Sequence, residues 1–167
     1  SFEIRSIGME HSQNVKDLII NSRPLLTTVS TLWTSNHKYI GYCHLIKIQD
    51  GLHSVETITK GKADRLLDKD LTLLSKQLTK LLGDVVLNQN QFDALVSLVY
   101  DIGIQAYRAS ELPKLFKQGK LEEACSMFRK WNKYEKNPKY QLIDSRQKEI
   151  QLFSTGSFKK TRKKTKR

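Results

Sequence analysis

The sequence predicts an α+β fold, mainly α, with a small β-containing N-terminal lobe joined by one long helix to a helical C-terminal lobe. Three stretches predict it. Residues 87–102 place Phe92, Leu95, Val96, Val99 and Ile102 at spacings of three and four, the period of a helix with a buried face. Residues 59–82 repeat that period over a longer run, through Leu66, Leu67, Leu71, Leu74, Leu78, Leu81 and Leu82. Between Leu25 and Ile48 the pattern changes to the β-branched and aromatic residues of strands.

In chain order, Ser12 caps a short first helix to Asn21, with Val15, Leu18 and Ile19 on its apolar side. Pro24 prevents its continuation, because the residue before a proline is driven out of helical geometry. The run from Tyr39 to Ile48 reads as strand material interrupted by Gly41, with a hairpin expected upstream around Ser35-Asn36. Asp50-Gly51 is a turn signal. Thr59 opens the long helix, which ends near Gly83 and spans about 30 Å at about 1.5 Å per residue. Asn88 and Gln91 supply the two halves of a capping box for the central helix, and Gly103 stops it. Further helices are expected at Ser110 to Gln118, Leu121 to Trp131 and Gln141 to Phe153, separated by Gly119 and by Asn137-Pro138.

A chain of 167 residues, 38% hydrophobic and 28% charged, can bury one domain's core or two small lobes sharing a helix. No apolar run approaches the roughly 20 residues that cross a bilayer. The start, Ser1-Phe-Glu-Ile-Arg, lacks the features of a signal peptide, which implies synthesis in a host cytoplasm without an export signal. Cys43 and Cys125 are too few and too far apart for a disulfide framework or a zinc site, so free thiols, no metal and no cofactor are expected.

The net charge is +12, and Lys159, Lys160, Arg162, Lys163, Lys164, Lys166 and Arg167 crowd seven cations into the last nine residues. That tail is too charged to fold alone. It suits solvation, docking on an acidic protein surface, or contact with nucleic acid or an anionic envelope. No nucleic-acid motif with interleaved aromatics accompanies it.

Four ordered segments then carry a resemblance. They are Ile58-Thr-Lys-Gly-Lys-Ala-Asp-Arg-Leu-Leu-Asp-Lys-Asp-Leu, the run Asn88 to Gly103, Ala124 to Trp131, and Ser145-Arg-Gln-Lys-Glu-Ile-Gln-Leu-Phe with Thr155-Gly-Ser-Phe. Together with Ile40-Gly-Tyr-Cys-His-Leu, similar to an Ile-Gly-x-Gly-His-Leu strand, they resemble the phage-type lysozymes, the muramidase family of the bacteriophage T4 enzyme. The resemblance covers most of Tyr39 to Phe158. It implies a single lysozyme-like domain over 1–158, with a β-containing lobe at about 12–58, a connecting helix at about 59–82 and a helical lobe at about 84–158. A glycan cleft is then expected between the lobes, and 159–167 is left as a flexible basic tail.

Cleaving a glycosidic bond needs an acid to protonate the leaving oxygen and a carboxylate on the other side. In the family a Glu followed by Gly ends the first helix, an Asp follows nine residues later, and a Thr six residues after that precedes the Ile-Gly strand. Alignment of the helix end puts Ser22 at the Glu position and Arg23 at the Gly. Counting forward lands on Thr31, while counting back from the strand lands on Trp33, because the loop is about two residues longer. Tyr39 takes the Thr position. No Asp or Glu lies between Asp17 and Asp50. Ser22, Thr31 and Tyr39 therefore read as vestigial catalytic positions.

The resemblance also pairs His44 with Asp70, read as a structural salt bridge from the β-lobe to the long helix. Such a pair should raise the histidine pKa. Cys43 replaces a family glycine, and Trp33, Tyr39, Tyr42, Cys43 and Tyr107 are candidate cleft residues. The lost carboxylates favour an inactive lysozyme-like structural or binding component of a phage virion, in the tail baseplate, with other virion proteins as partners. The alternative is an active peptidoglycan muramidase, an endolysin or tail lysozyme, whose acid is displaced, with Glu10 as the nearest upstream carboxylate. A third reading is a nucleic-acid-associated virion protein.

Overall fold

The computed structural model describes residues 8–31, 37–52, 57–134 and 137–160. Helix α1 (Gln13–Ser22) buries Val15, Leu18 and Ile19, and its cap Ser12 accepts a hydrogen bond from the Asn14 N–H. The cap is itself anchored, since the Ser12 N–H donates to Asp93 at 2.9 Å and its hydroxyl donates to the same carboxylate. Helix α1 thus starts on the central helix and packs along it. Arg23, at the C-cap, is extended, as the proline after it requires.

Strands β1 (Leu26–Ser30), β2 (Tyr39–Gly41) and β3 (His44–Leu45) form an antiparallel sheet in that order. Leu26 faces Gly41, and Ile40 faces His44. A Cβ on Gly41 would sit 3.5 Å from the Ala63 Cβ, so this glycine lets the sheet lie close against the next helix. The hairpin expected at Ser35-Asn36 lies outside the described residues. Asp50-Gly51 closes a 3-10 turn over Ile48–Asp50. Ile40, Ile46 and Leu52 form a small core under the sheet, touching Leu66 of the long helix.

That helix, α2 (Lys60–Leu82), is capped by the Thr59 side chain and buries Ala63, Leu67, Leu71, Leu78 and Leu82. Helix α3 (Gln89–Ile102) carries the capping box in full: Asn88 Oδ1 accepts the Gln91 N–H at 2.8 Å, and Gln91 Oε1 accepts the Asn88 N–H at 3.0 Å. Phe92 through Val99 are all buried, so α3 is wrapped on every side.

The rest departs from the sequence reading in four places. Helix α4 (Ile104–Ala109) follows α3 directly: Gly103, at φ 85°, ends α3 as expected and at once serves as the N-cap of α4. Pro113 confines the next helix, α5, to Leu112–Lys117. Helix α6 (Leu121–Met127) tightens into a 3-10 turn over Phe128–Trp131. A hairpin of β4 (Lys133–Tyr134) and β5 (Asn137–Gln141) then precedes α7 (Ile143–Thr155). These strands are short and polar, with no apolar alternation to announce them. Helix α7 packs on α3 and on α1. Among the described residues, no helix is long and apolar enough to cross a membrane.

Candidate active site

A groove of about 490 Å³ opens between the sheet and the helices. Tyr39, Cys43, His44 and Lys47 line its β side, Asp70, Leu73, Leu74 and Gln77 of α2 form one wall, and Arg23, Tyr100 and Asp101 lie at its base.

His44 is held from both ring nitrogens. Its Nδ1 lies 2.5 Å from Asp70 Oδ2, and its Nε2 lies 2.9 Å from Asp50 Oδ2. The same Asp50 oxygen accepts the Lys47 N–H at 2.7 Å. Burial works against the imidazolium, but the hydrogen bonds and charges of Asp70, then Asp50, outweigh it and raise the His44 pKa. Burial likewise opposes ionisation of Asp50, yet the Lys47 N–H and His44 hold its carboxyl below the usual range. The three side chains fasten β3 to α2 and to the 3-10 turn between them.

Deeper in, four charged side chains close on one another. Arg23, 1% exposed, donates from Nε to Asp101 Oδ1 at 2.9 Å and from Nη2 to Asp101 Oδ2 at 2.6 Å. Its guanidinium lies 5.5 Å from the Tyr100 ring centre. Arg146 donates from Nη2 to Asp101 Oδ2 at 2.5 Å and from Nε to Glu149 Oε1 at 2.6 Å. The Ser97 hydroxyl donates to Glu149 Oε2 at 2.6 Å. Burial pushes the Asp101 pKa up, but the two guanidiniums prevail and hold it below the carboxylate range. For Glu149 burial prevails over Arg146 and the pKa is raised. Two cations and two anions leave the cluster neutral, and it joins the ends of α1 and α3 to α7.

Ser22 ends α1, and its buried hydroxyl has no hydrogen-bond partner among the described residues. It is not part of the groove lining; the following residue, Arg23, is. Thr31 is exposed just past β1, and Trp33 lies outside the described residues. Of the other residues expected at the cleft, Tyr39 and Cys43 line it. Tyr42 and Tyr107 do not: both are buried in the main core, Tyr107 because α4 turns it inward. The Tyr42 carbonyl accepts the Tyr100 hydroxyl. Cys43 occupies the turn between β2 and β3 at φ 64°, and burial pushes its thiol up, so it keeps its proton. Glu10 is exposed ahead of α1 and away from the groove lining. Lys159 and Lys160 are exposed after α7, with Lys160 Nζ 3.9 Å from Asp17; Arg162, Lys163, Lys164, Lys166 and Arg167 lie outside the described residues.

The sequence reading did not single out Arg23, Asp101, Arg146 or Glu149. A signal for part of the cluster was present: Asp93, Ser97 and Asp101 recur every four residues along an otherwise apolar helix. Such a polar stripe in a buried helix requires partners from other elements.

Comparison with known proteins places these features. The Phage lysozyme family pattern matches residues 27–149. The endolysin of Bacillus phage B103 is 34% identical over 132 residues, 79% of this chain and 49% of that protein. The endolysin of Salmonella phage P22 is 35% identical over 115 residues, 68% of this chain and 77% of that protein. The chain spans about half the length of the two Bacillus phage endolysins that it matches, from phages B103 and PZA. Among solved structures, the muramidase domain of SpmX from Asticaccaulis excentricus aligns with a TM-score of 0.71 at 30% identity, covering 87% of this chain and 99% of that one. An endolysin from Escherichia coli O157:H7 phage FAHEc1, at 23% identity, shares the fold with a TM-score of 0.75, over 92% of this chain and 98% of that one.

These matches correct two expectations. An inactive structural component of a virion, and a tail or baseplate location, are both overturned, because the relatives are endolysins and a muramidase domain. With nearly all of the sheet, the long helix and most of the helical lobe inside the match, this chain belongs to the phage lysozyme family.

Proposed function

We propose that the chain is a peptidoglycan muramidase of the endolysin type, cutting the glycan backbone as it lies in the groove. The observation that carries the reading is the family match over 27–149, which takes in the groove's β side, its α2 wall and the Tyr100 and Asp101 of its base. The groove's size and mixed polar and apolar lining suit a sugar chain.

The chemistry must differ from the family's arrangement. A serine hydroxyl is no general acid at neutral pH, and Ser22 is outside the groove lining in any case. Glu10, the displaced acid considered from sequence, is not in the lining either. Among the described lining residues, His44 is the imidazole, its pKa raised, and the carboxylates are Asp70 and Asp101. We assign the proton to the His44–Asp70 pair. The raised pKa favours the protonated form of His44, and Asp70, with 27% of its side chain exposed, borders the solvent of the groove. Delivery through Nδ1 requires Asp70 to move aside, releasing the proton to the leaving oxygen. Water adds at the sugar carbon as that bond breaks, and its proton returns to His44 through the groove solvent; Asp101, although in the lining, has both oxygens taken by the Arg23 and Arg146 guanidiniums and offers no free anion to the sugar. Replacing a positioned carboxylic acid by this route should leave clearing roughly 100- to 10,000-fold slower than in a muramidase with the Glu in place.

The test is release of new reducing ends from purified peptidoglycan, read beside an active phage lysozyme. Activity that declines as pH rises through the His44 pKa, and that disappears in His44→Gln with the fold retained, supports the reading. No new reducing ends at any pH overturns it.

A further inference from the structure

Helix α2 serves the groove with one edge and presents another to solvent. At 3.6 residues per turn, Lys62, Arg65, Lys69, Lys76 and Lys80 fall within an arc of about 60° on that outer face, along a line of about 27 Å. All five are exposed. The helix's acidic residues lie off this arc: Asp64 and Asp68 on one side, Asp70 on the other with the groove lining. Among the described residues none of the five cations is in a salt bridge, whereas Asp68 is taken by His11 and Lys16. Leu73 sits at the stripe's edge and also lines the groove, so the row of charge runs alongside the groove's lip.

We propose that this stripe is a docking surface for a linear polyphosphodiester of the bacterial wall, of the poly(glycerol phosphate) type. Its place beside the groove would hold the wall against the site that works on it. The choice of partner rests on the muramidase reading; the stripe itself does not. A straight row of unpaired cations matches an anionic chain of regular charge spacing. Single-stranded nucleic acid would call for aromatic rings between the cations, and the neighbours here are Thr72, Leu73, Gln77 and Thr79. Duplex DNA is read by helices inserted into the major groove, whereas this face belongs to a helix packed along its length against the sheet and α3, and duplex binding is an outcome of the test below.

The test is co-sedimentation of the full chain with Gram-positive sacculi carrying poly(glycerol phosphate), and with the same sacculi stripped by hydrofluoric acid. The wild-type chain should bind the first much more tightly than the second. A fourfold variant, Lys62→Gln, Lys69→Gln, Lys76→Gln and Lys80→Gln, should bind at least about tenfold more weakly, with a salt slope shallower by about 3. A charge-matched variant on other elements, with Lys114, Lys117, Lys120 and Lys130 each changed to Gln, should stay within about twofold of wild type. The proposal is overturned if both variants lose affinity equally, if stripped sacculi bind as well, or if the stripe variant loses duplex DNA binding while keeping the wall polymer. Binding is read without hydrolysis, so the two readings fail separately. A chain that makes no reducing ends but binds through the stripe removes only the muramidase reading, and one that cuts but ignores the polymer removes only the stripe.

Discussion

Replacing Asp101 with Asn keeps the shape of the side chain and removes the anion shared by two guanidiniums. Asp101 is 8% exposed and accepts from Arg23 at 2.9 and 2.6 Å and from Arg146 at 2.5 Å. The variant would leave Arg23, Arg146 and Glu149 in the same buried space with one uncompensated positive charge. Breaking a buried ion pair in this way costs about 3–5 kcal/mol. For a chain of this size, that lowers Tm by roughly 10 °C. Urea unfolding should show the loss as a shifted midpoint with an unchanged slope. Removing the pair together, as Arg23→Met with Asp101→Leu, leaves Arg146 and Glu149 balanced and should recover most of the loss, a coupling that a double-mutant cycle reads directly. The acid limb gives a further check. The Asp101 pKa is lowered on folding, so its stabilisation is complete above the unfolded carboxylate value, about 3.9. It disappears as pH falls through the lower folded value, and Asp101→Asn should flatten that limb. A loss below about 1 kcal/mol in the single variant would refute the reasoning, because the four charges could not then be desolvated together.

Three other outcomes are expected. The His44 pKa is raised on folding, so its contribution is full below the unfolded histidine value and is lost as pH rises through the folded one. Stability measured by thermal melts across that range should fall for the wild type and stay flat for His44→Gln. Cys43→Gly should raise stability by up to about 1 kcal/mol, since relief of the left-handed backbone outweighs glycine's extra unfolded freedom, while Cys43→Val should lower it. Asn88→Ala removes the cap that accepts the Gln91 N–H and should cost about 1 kcal/mol in urea unfolding.

What could be read from the sequence was what repeats locally. Helices α2 and α3 were legible because their apolar period and caps lie within one stretch, from Thr59 to Leu82 and from Asn88 to Gly103. Helix α4 was missed because Gly103 reads as a terminus, yet the chain turns there and goes straight on into another helix. The β4–β5 hairpin gave no apolar alternation to find. At the site, the His44–Asp70 contact was reached only through the family resemblance. Arg23 shows the opposite limit. In the sequence it is a cation in a loop before a proline, and its partners Asp101 and Glu149 lie far along the chain. Only the packing of α1 and α7 on α3 brings those charges together and out of water.

Arg23 also bears on how the molecule can move. Through this side chain the end of α1 is pinned to the end of α3, and α7 is held to the same point by Arg146. The start of α1 is tied to α3 as well, through Ser12 and Asp93. Helix α1 therefore travels with the C-terminal helices as one rigid body. Any widening of the groove to admit a polymer has to be absorbed by two pivots, the Pro24-Leu25 connection and flexure along α2, with the sheet swinging between them.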